Sequence, residues 1–108
     1  MTAYVVALVK VTDDSWIPSY ATAGAEVIAR HGGRYISRSA NVDVIEGADN
    51  DIDLIALIEF PDKEAVHRLF ADPAYAPHGE ARRGGSVTRL FLIDNTDAAG
   101  ALAHLPKG

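Results

Sequence analysis

The chain repeats itself, and the repeat is the strongest constraint on its fold. Val6-Ala7-Leu8-Val9-Lys10-Val11-Thr12-Asp13 is matched by Ile55-Ala56-Leu57-Ile58-Glu59-Phe60-Pro61-Asp62. Each copy is an apolar run, rich in β-branched residues, that passes into an acidic helix start, where carboxylates meet the positive end of the helix dipole. A chain of 108 residues makes one domain. Two strand-to-helix units in that length predict the order strand, helix, strand, strand, helix, strand. This is the α+β, ferredoxin-like split βαβ topology, an antiparallel sheet with its helices on one face. Residues 1–96 are expected to form the domain and residues 97–108 a C-terminal extension.

Residues 4–11 read as the first strand. Asp13, Asp14 and Ser15 offer oxygens for a helix N-cap, and Pro18 fits a first turn, where its missing N–H costs nothing. Trp16, Tyr20, Ala23, Val27 and His31 then recur at helical spacing along one stripe. In the run His31-Gly32-Gly33-Arg34-Tyr35, one of the glycines closes the helix in a left-handed turn. A second strand follows over 35–39 and 42–46, broken near Ala40-Asn41, and 47–51 is a polar turn. Residues 54–60 form the third strand, stopped by Pro61, and 62–71 a second helix, broken by Asp72-Pro73. Residues 75–83 read as a short third helix ended by Gly84-Gly85, and 87–93 as the last strand. Asn95 or Thr96 is placed to cap a short helix through Leu105.

Alternation along the strands shows that both faces of the sheet are apolar. Val5, Ala7, Val9 and Val11 share one face of the first strand, and Tyr4, Val6 and Leu8 the other. Leu54, Ala56, Ile58 and Phe60 oppose Ile55 and Leu57 in the third strand, and Phe91 and Ile93 oppose Leu90 and Leu92 in the last. Helices cover only one face, so the other calls for a second subunit packed sheet to sheet. The competing cover is the C-terminal segment, which offers only Leu102 and Leu105 as sizeable apolar groups.

Composition removes several classes of function. With 10 basic and 15 acidic residues the formal charge is -5, and no basic patch of the kind nucleic acid requires is present. The absence of cysteine excludes disulfides, thiolate metal sites and thiol catalysis, and accords with a cytoplasmic location. The N-terminus lacks the basic region of a signal peptide, and no apolar run approaches the ~20 residues of a membrane span. No metal site is expected. Asp49-Asn50-Asp51-Ile52-Asp53 opens like a calcium loop, but Leu54 stands at the glycine position and Phe60 at the final carboxylate position. His67, His78 and His104 show no paired ligand spacing. No cofactor fingerprint or nucleophile elbow occurs.

The ordered set His31-Gly32-Gly33-Arg34-Tyr35, Ile58-Glu59-Phe60-Pro61, Asp72-Pro73-Ala74-Tyr75 and Arg82 before Gly84 resembles the domain-of-unknown-function family 1330. The resemblance runs from Tyr4 to Asp94. It implies a dimeric α+β barrel, a superfamily that includes cofactor-independent monooxygenases, lactone isomerases and dehydrochlorinases. Such relatives hold small, often aromatic or lactone-like molecules in a cleft between sheet and helices, so the resemblance implies a pocket without naming a substrate. The chain departs from the family pattern in two places. Residues 48–53 replace a turn that often carries Trp, Pro and a basic residue, and Leu69-Phe70 replaces a Phe-Tyr helix end.

The residues with chemical potential each carry two readings. His31 is a general base or donor facing the cleft, since an imidazole pKa near ~6.5 suits proton transfer at neutral pH, or a helix C-terminal residue bonded to terminal carbonyls. Arg82 grips a carboxylate or enolate oxygen, or is a solvated cation. Tyr20, Tyr35 and Tyr75 aim hydroxyls at a ligand, or only pack. Trp16 is cleft wall or core, and His78 a group at the cleft mouth. Glu59 is an acid/base in the cleft, or a seam charge paired with Arg34, Arg38 or Arg89.

Three functions follow. The first is a cofactor-independent enzyme that acts on a small oxygenated or cyclic metabolite by proton transfer. Here His31 is the base, Arg82 the anion holder, and a tyrosine the orienting group. The second is a non-catalytic binding or structural homodimer. The third is a cofactor-free monooxygenase of aromatic substrates.

Overall fold

A computed structural model of the chain describes residues 1–48 and 51–106. Strand β1 (Ala3–Val11) leads into a helical segment built from α1 (Ile17–Ser19), a π-helical turn (Tyr20–Gly24) and α2 (Ala25–Arg30). Strands β2 (Arg34–Ser39) and β3 (Leu54–Phe60) follow, then α3 (Lys63–Ala71), α4 (Ala76–Gly85) and β4 (Ser86–Asp94). The sheet has the order β2-β3-β1-β4 with every pair antiparallel, which is the ferredoxin-like arrangement.

The two repeat copies lie side by side at the centre of the sheet. Val5 faces Ile58, Ala7 faces Ala56, and Ala3 faces Phe60. Above them α2 contributes Val27 and Ile28, and α3 contributes Ala65, Val66 and Leu69, so the core lies between one sheet face and the helices. Phe60 is enclosed completely, and a buried side chain of that size contributes about 1.5–3 kcal/mol. The opposite face carries Tyr4, Val6, Leu8, Leu57, Phe91 and Ile93 with no helix of the described residues over it, and Phe91 is 49% exposed.

The helix ends follow their local chemistry. Asp62 caps α3 by accepting a hydrogen bond from the Ala65 amide at 2.7 Å. Gly32 turns the chain out of α2 with φ +84°, a conformation that favours glycine, while a Cβ on Gly33 would press on Ile28 and Phe60.

Four expectations need correction. The helix stripe does not run through Ala23. The π-turn inserts an extra residue, and burial passes from Tyr20 to Gly24, Val27 and Ile28. Asp13 does not cap this helix; it accepts a hydrogen bond from the Ser15 amide in a local turn, and Trp16 stands at the N-cap position. Residues 42–46 are not strand. The Asn41 amide donates to Ser39 Oγ, the chain bends away from the sheet, and Ile45 is left 93% exposed. Among the described residues beyond β4 only a 3₁₀ turn forms, Ala98–Gly100, capped by Asp97 and not by Asn95 or Thr96. The Asp49-Asn50 part of the acidic turn lies outside the described residues.

Candidate functional site

A cavity of about 430 Å³ opens between the helices and the central strands. Its floor is the cavity-facing row of β1 and β3, including Val5, Ala7, Val9, Ala56 and Ile58. Its wall is a chain of aromatic rings in edge contact. Trp16 meets Tyr20 with ring centroids 5.4 Å apart, Tyr20 meets Tyr75 at 6.1 Å, and Tyr75 meets Phe70 at 5.2 Å. Edge-to-face packing of this kind fixes ring orientation.

The wall is positioned by backbone features. The π-turn begins at Tyr20 and presents Tyr20 and Ala21 to the cavity. Trp16 donates from Nε1 to the Gly85 carbonyl at 3.1 Å, and the Thr12 and Asp13 amides donate to the same oxygen. This shared acceptor ties the end of β1, Trp16 and the α4–β4 junction together.

The Tyr20 and Tyr75 hydroxyls are hydrogen-bonded to each other at 2.6 Å. Burial, then the neighbouring Tyr75, raises the pKa of Tyr20 far above the usual phenol range, and burial raises Tyr35 as well. Both therefore act as protonated groups at neutral pH, able to donate a hydrogen bond to a ligand oxygen.

Arg82 enters the cavity from the last turn of α4. Only 6% of the residue is exposed, and its Nε is buried without a hydrogen-bond partner. Ser86 Oγ donates to the Arg82 carbonyl and takes a hydrogen bond from Thr88 Oγ1 at 2.7 Å, which holds the backbone at this corner.

Trp16, Tyr20, Tyr35, Tyr75 and Arg82 thus converge on one cavity. His31 and His78 are not among the residues that line it. His31 Nε2 is bonded to Asp72 Oδ2 at 2.8 Å, linking the end of α2 to the turn after α3. His78 packs against Gly24 and borders two other depressions. Glu59 faces the open side of the sheet, where it pairs with Arg34 at 2.8 Å. Arg38 is not at that seam. A β-bulge between Tyr35 and Ser37 shifts the alternation of β2, so that Arg38 shares the cavity side with Tyr35 and stacks over its ring at 4.8 Å. Strict two-residue alternation separates these side chains, and the sequence holds no glycine at the bulge to mark it. Among the described residues no group of three His, Asp or Glu is placed to hold a metal ion, and no helix is long and apolar enough to cross a membrane.

Sheet order, helix placement and cavity together define a ferredoxin-like α+β protein with an internal small-molecule-sized cavity. The chain belongs to the family described as Domain of unknown function (DUF1330), whose model matches residues 2–96. No curated protein matches it. Among solved structures it is similar to RPA0582, a protein of unknown function from Rhodopseudomonas palustris, at 18% identity and TM-score 0.75, covering 88% of this chain and 82% of that one. SnoaB, a cofactor-independent oxygenase from Streptomyces nogalater, is 20% identical with TM-score 0.62, covering 91% of this chain and 96% of that one. An ethyl tert-butyl ether d (EthD) family protein from Bacillus halodurans C-125 is 15% identical with TM-score 0.62, covering 89% and 100%. These likenesses concern the fold.

Proposed function

We propose that this protein is a homodimeric, cytoplasmic, cofactor-independent enzyme that holds a small oxygenated or cyclic metabolite in the cavity and promotes proton transfer on it. The observation that supports this best is the cavity itself. At about 430 Å³, it joins aromatic and aliphatic walls to a few polar groups, the composition of a small-molecule site. In this reading Arg82 and one hydroxyl of the Tyr20–Tyr75 pair, the other proton being used in the bond between them, donate hydrogen bonds to a carbonyl or enol oxygen. They stabilise the negative charge that develops there as solvent water takes the proton of a neighbouring C–H bond, leaving an enolate and a hydronium ion. His31 is a positioning residue, since through Asp72 it secures the turn that delivers Tyr75. Residues 97–108 are an extension outside this machinery.

A second reading, cofactor-free oxygenation of an aromatic compound, draws on the edge-stacked wall and on the fold likeness to SnoaB. Native mass spectrometry of freshly purified protein reports its assembly and any retained compound together. The retained compound is then returned to the protein in D₂O under air. Deuterium uptake supports proton transfer, oxygen consumption supports oxygenation, and neither outcome leaves a non-catalytic binding protein. Tyr20→Phe is expected to weaken binding about 3- to 10-fold, the effect of one lost hydrogen bond. His31→Ala should change it less than Tyr20→Phe, and the reverse order would put the site elsewhere.

A further inference from the structure

The charge at Arg82 has no counterpart among the described residues. A guanidinium stays protonated under any physiological condition, so it does not escape burial by losing its proton as a lysine can. Burying such a charge is costly unless it is paired. Yet Arg82 is 94% buried (6% exposed), and its side chain makes no ion pair or hydrogen bond with any described residue. None of the residues that line the cavity is an aspartate or glutamate. Tyr20 and Tyr35, the acidic hydroxyls whose electrostatics it influences, are held protonated by burial and do not serve as phenolate counter-ions. The second cation on the lining, Arg38, is stacked on Tyr35 and adds positive charge to the same space.

An uncompensated cation at the edge of an otherwise apolar, aromatic-walled space describes the ligand by complement. We infer that the cavity takes its ligand as an organic anion: a carboxylate or similarly acidic oxygen received by the Arg82 guanidinium, carried on a flat ring body that lies against Trp16, Tyr20 and Tyr75. The inference rests on the reading of the cavity as the ligand site and adds the ligand's charge state. Its chemistry is direct. A carboxylate accepts charge-assisted hydrogen bonds from the guanidinium and offsets its desolvation, which no protein group among the described residues does. The tyrosine hydroxyls supply further donors, and the ring replaces water on the apolar floor.

Trp16 is the sole tryptophan and forms part of the cavity wall, so its fluorescence reports occupancy. The test is a titration of the full chain with benzoate and with its neutral isostere benzamide, at matched ionic strength. Benzoate is expected to bind about 10- to 100-fold more tightly than benzamide, the range for a charge-assisted bond to a buried partner. Arg82→Gln should abolish that preference, bringing benzoate affinity down to that of benzamide, and Arg82→Lys should restore part of it. Arg82→Met is expected to melt at a higher temperature than the unliganded wild type, because it removes an unpaired buried charge, and to gain nothing from added benzoate. That melting comparison remains informative if the glutamine variant folds poorly. Equal affinity for benzoate and benzamide overturns the anion inference and leaves the cavity reading standing. Unchanged benzoate binding in Arg82→Gln does the same. Failure of both compounds to perturb Trp16 or the melting temperature overturns both.

Discussion

At the residue scale, the site depends on where side chains are absent as much as on where they are present. Gly85 is the clearest case. A Cβ added there would overlap Trp16 Cδ1 and come within 2.8 Å of the Asp13 carbonyl. That glycine also supplies the carbonyl on which Trp16 and the end of β1 are hung. Gly84, one position earlier, meets nothing within 4 Å when a Cβ is added. The pair gives an internal control. Gly85→Ala is expected to cost about 1–3 kcal/mol through overpacking and to shift Trp16 emission, because the indole must leave its seat. Gly84→Ala should be neutral or stabilising by up to about 1 kcal/mol through reduced freedom of the unfolded chain. Urea denaturation followed by tryptophan fluorescence measures both, and equal losses in the two variants would remove the steric account of Trp16 placement. Arg82 and the tyrosines stand out in the sequence by type, since few residues grip an oxyanion. His31 stands out equally, yet its placement depends on Asp72, 41 positions away. No local signal tells a histidine facing a cavity from one held by a distant carboxylate.

At the scale of elements, the strands were legible because two-residue alternation and β-branched content coincide in β1 and β3, and the structure keeps 54–60 as a strand unchanged. The interruptions were not. The π-turn at Tyr20–Gly24 contains no proline or glycine before its last residue, and a single inserted position shifts the helical phase without altering composition. The β2 bulge has the same character: it moves Arg38 from one side of the sheet to the other with no residue that announces it. Both irregularities border the cavity, in keeping with the frequent occurrence of π-bulges and β-bulges beside functional sites. Regular elements around them carry the stability. Helix α3 opens on a single side-chain cap, Asp62 to the Ala65 amide, and it supplies Ala65, Val66 and Leu69 to the core. Asp62→Ala is therefore expected to cost about 0.5–2 kcal/mol, with Asp62→Ser recovering most of the loss. Equilibrium denaturation distinguishes a cap from a surface charge: if Ser behaves like Ala, the carboxylate acts through charge alone.

For the whole molecule, two properties follow from the distribution of charge and apolar surface. The first is acid sensitivity. Hydrogen bonds from Ser15 to Asp13, from His31 and Ala74 to Asp72, and from Thr96 to Asp94 hold these three carboxyls below their usual range. Their folded-state pKa values lie below the unfolded ones, so the unfolded chain binds more protons in the intervening window. Stability is then complete above the ordinary carboxylate pKa of ~3.9 and falls as pH drops through the folded values. Thermal melts from pH 6 to pH 2 should show this decline, and Asp72→Asn should start lower and decline less steeply. The second property concerns the open sheet face. Val6, Leu57, Phe91 and Ile93 lie together there through the β3-β1-β4 register. A second copy packed on this face by two-fold symmetry would bring each of these residues against the same patch of its partner. One substitution is then felt twice, because Phe91→Lys places two cations in one desolvated seam. The wild type is expected to sediment at twice its 11.5 kDa chain mass, and Phe91→Lys as a monomer with an unchanged circular dichroism spectrum, since residue 91 points away from the core. A wild type that stays monomeric at micromolar concentration would mean that something other than a second copy covers the face. A variant that remains dimeric would place the contact on another surface.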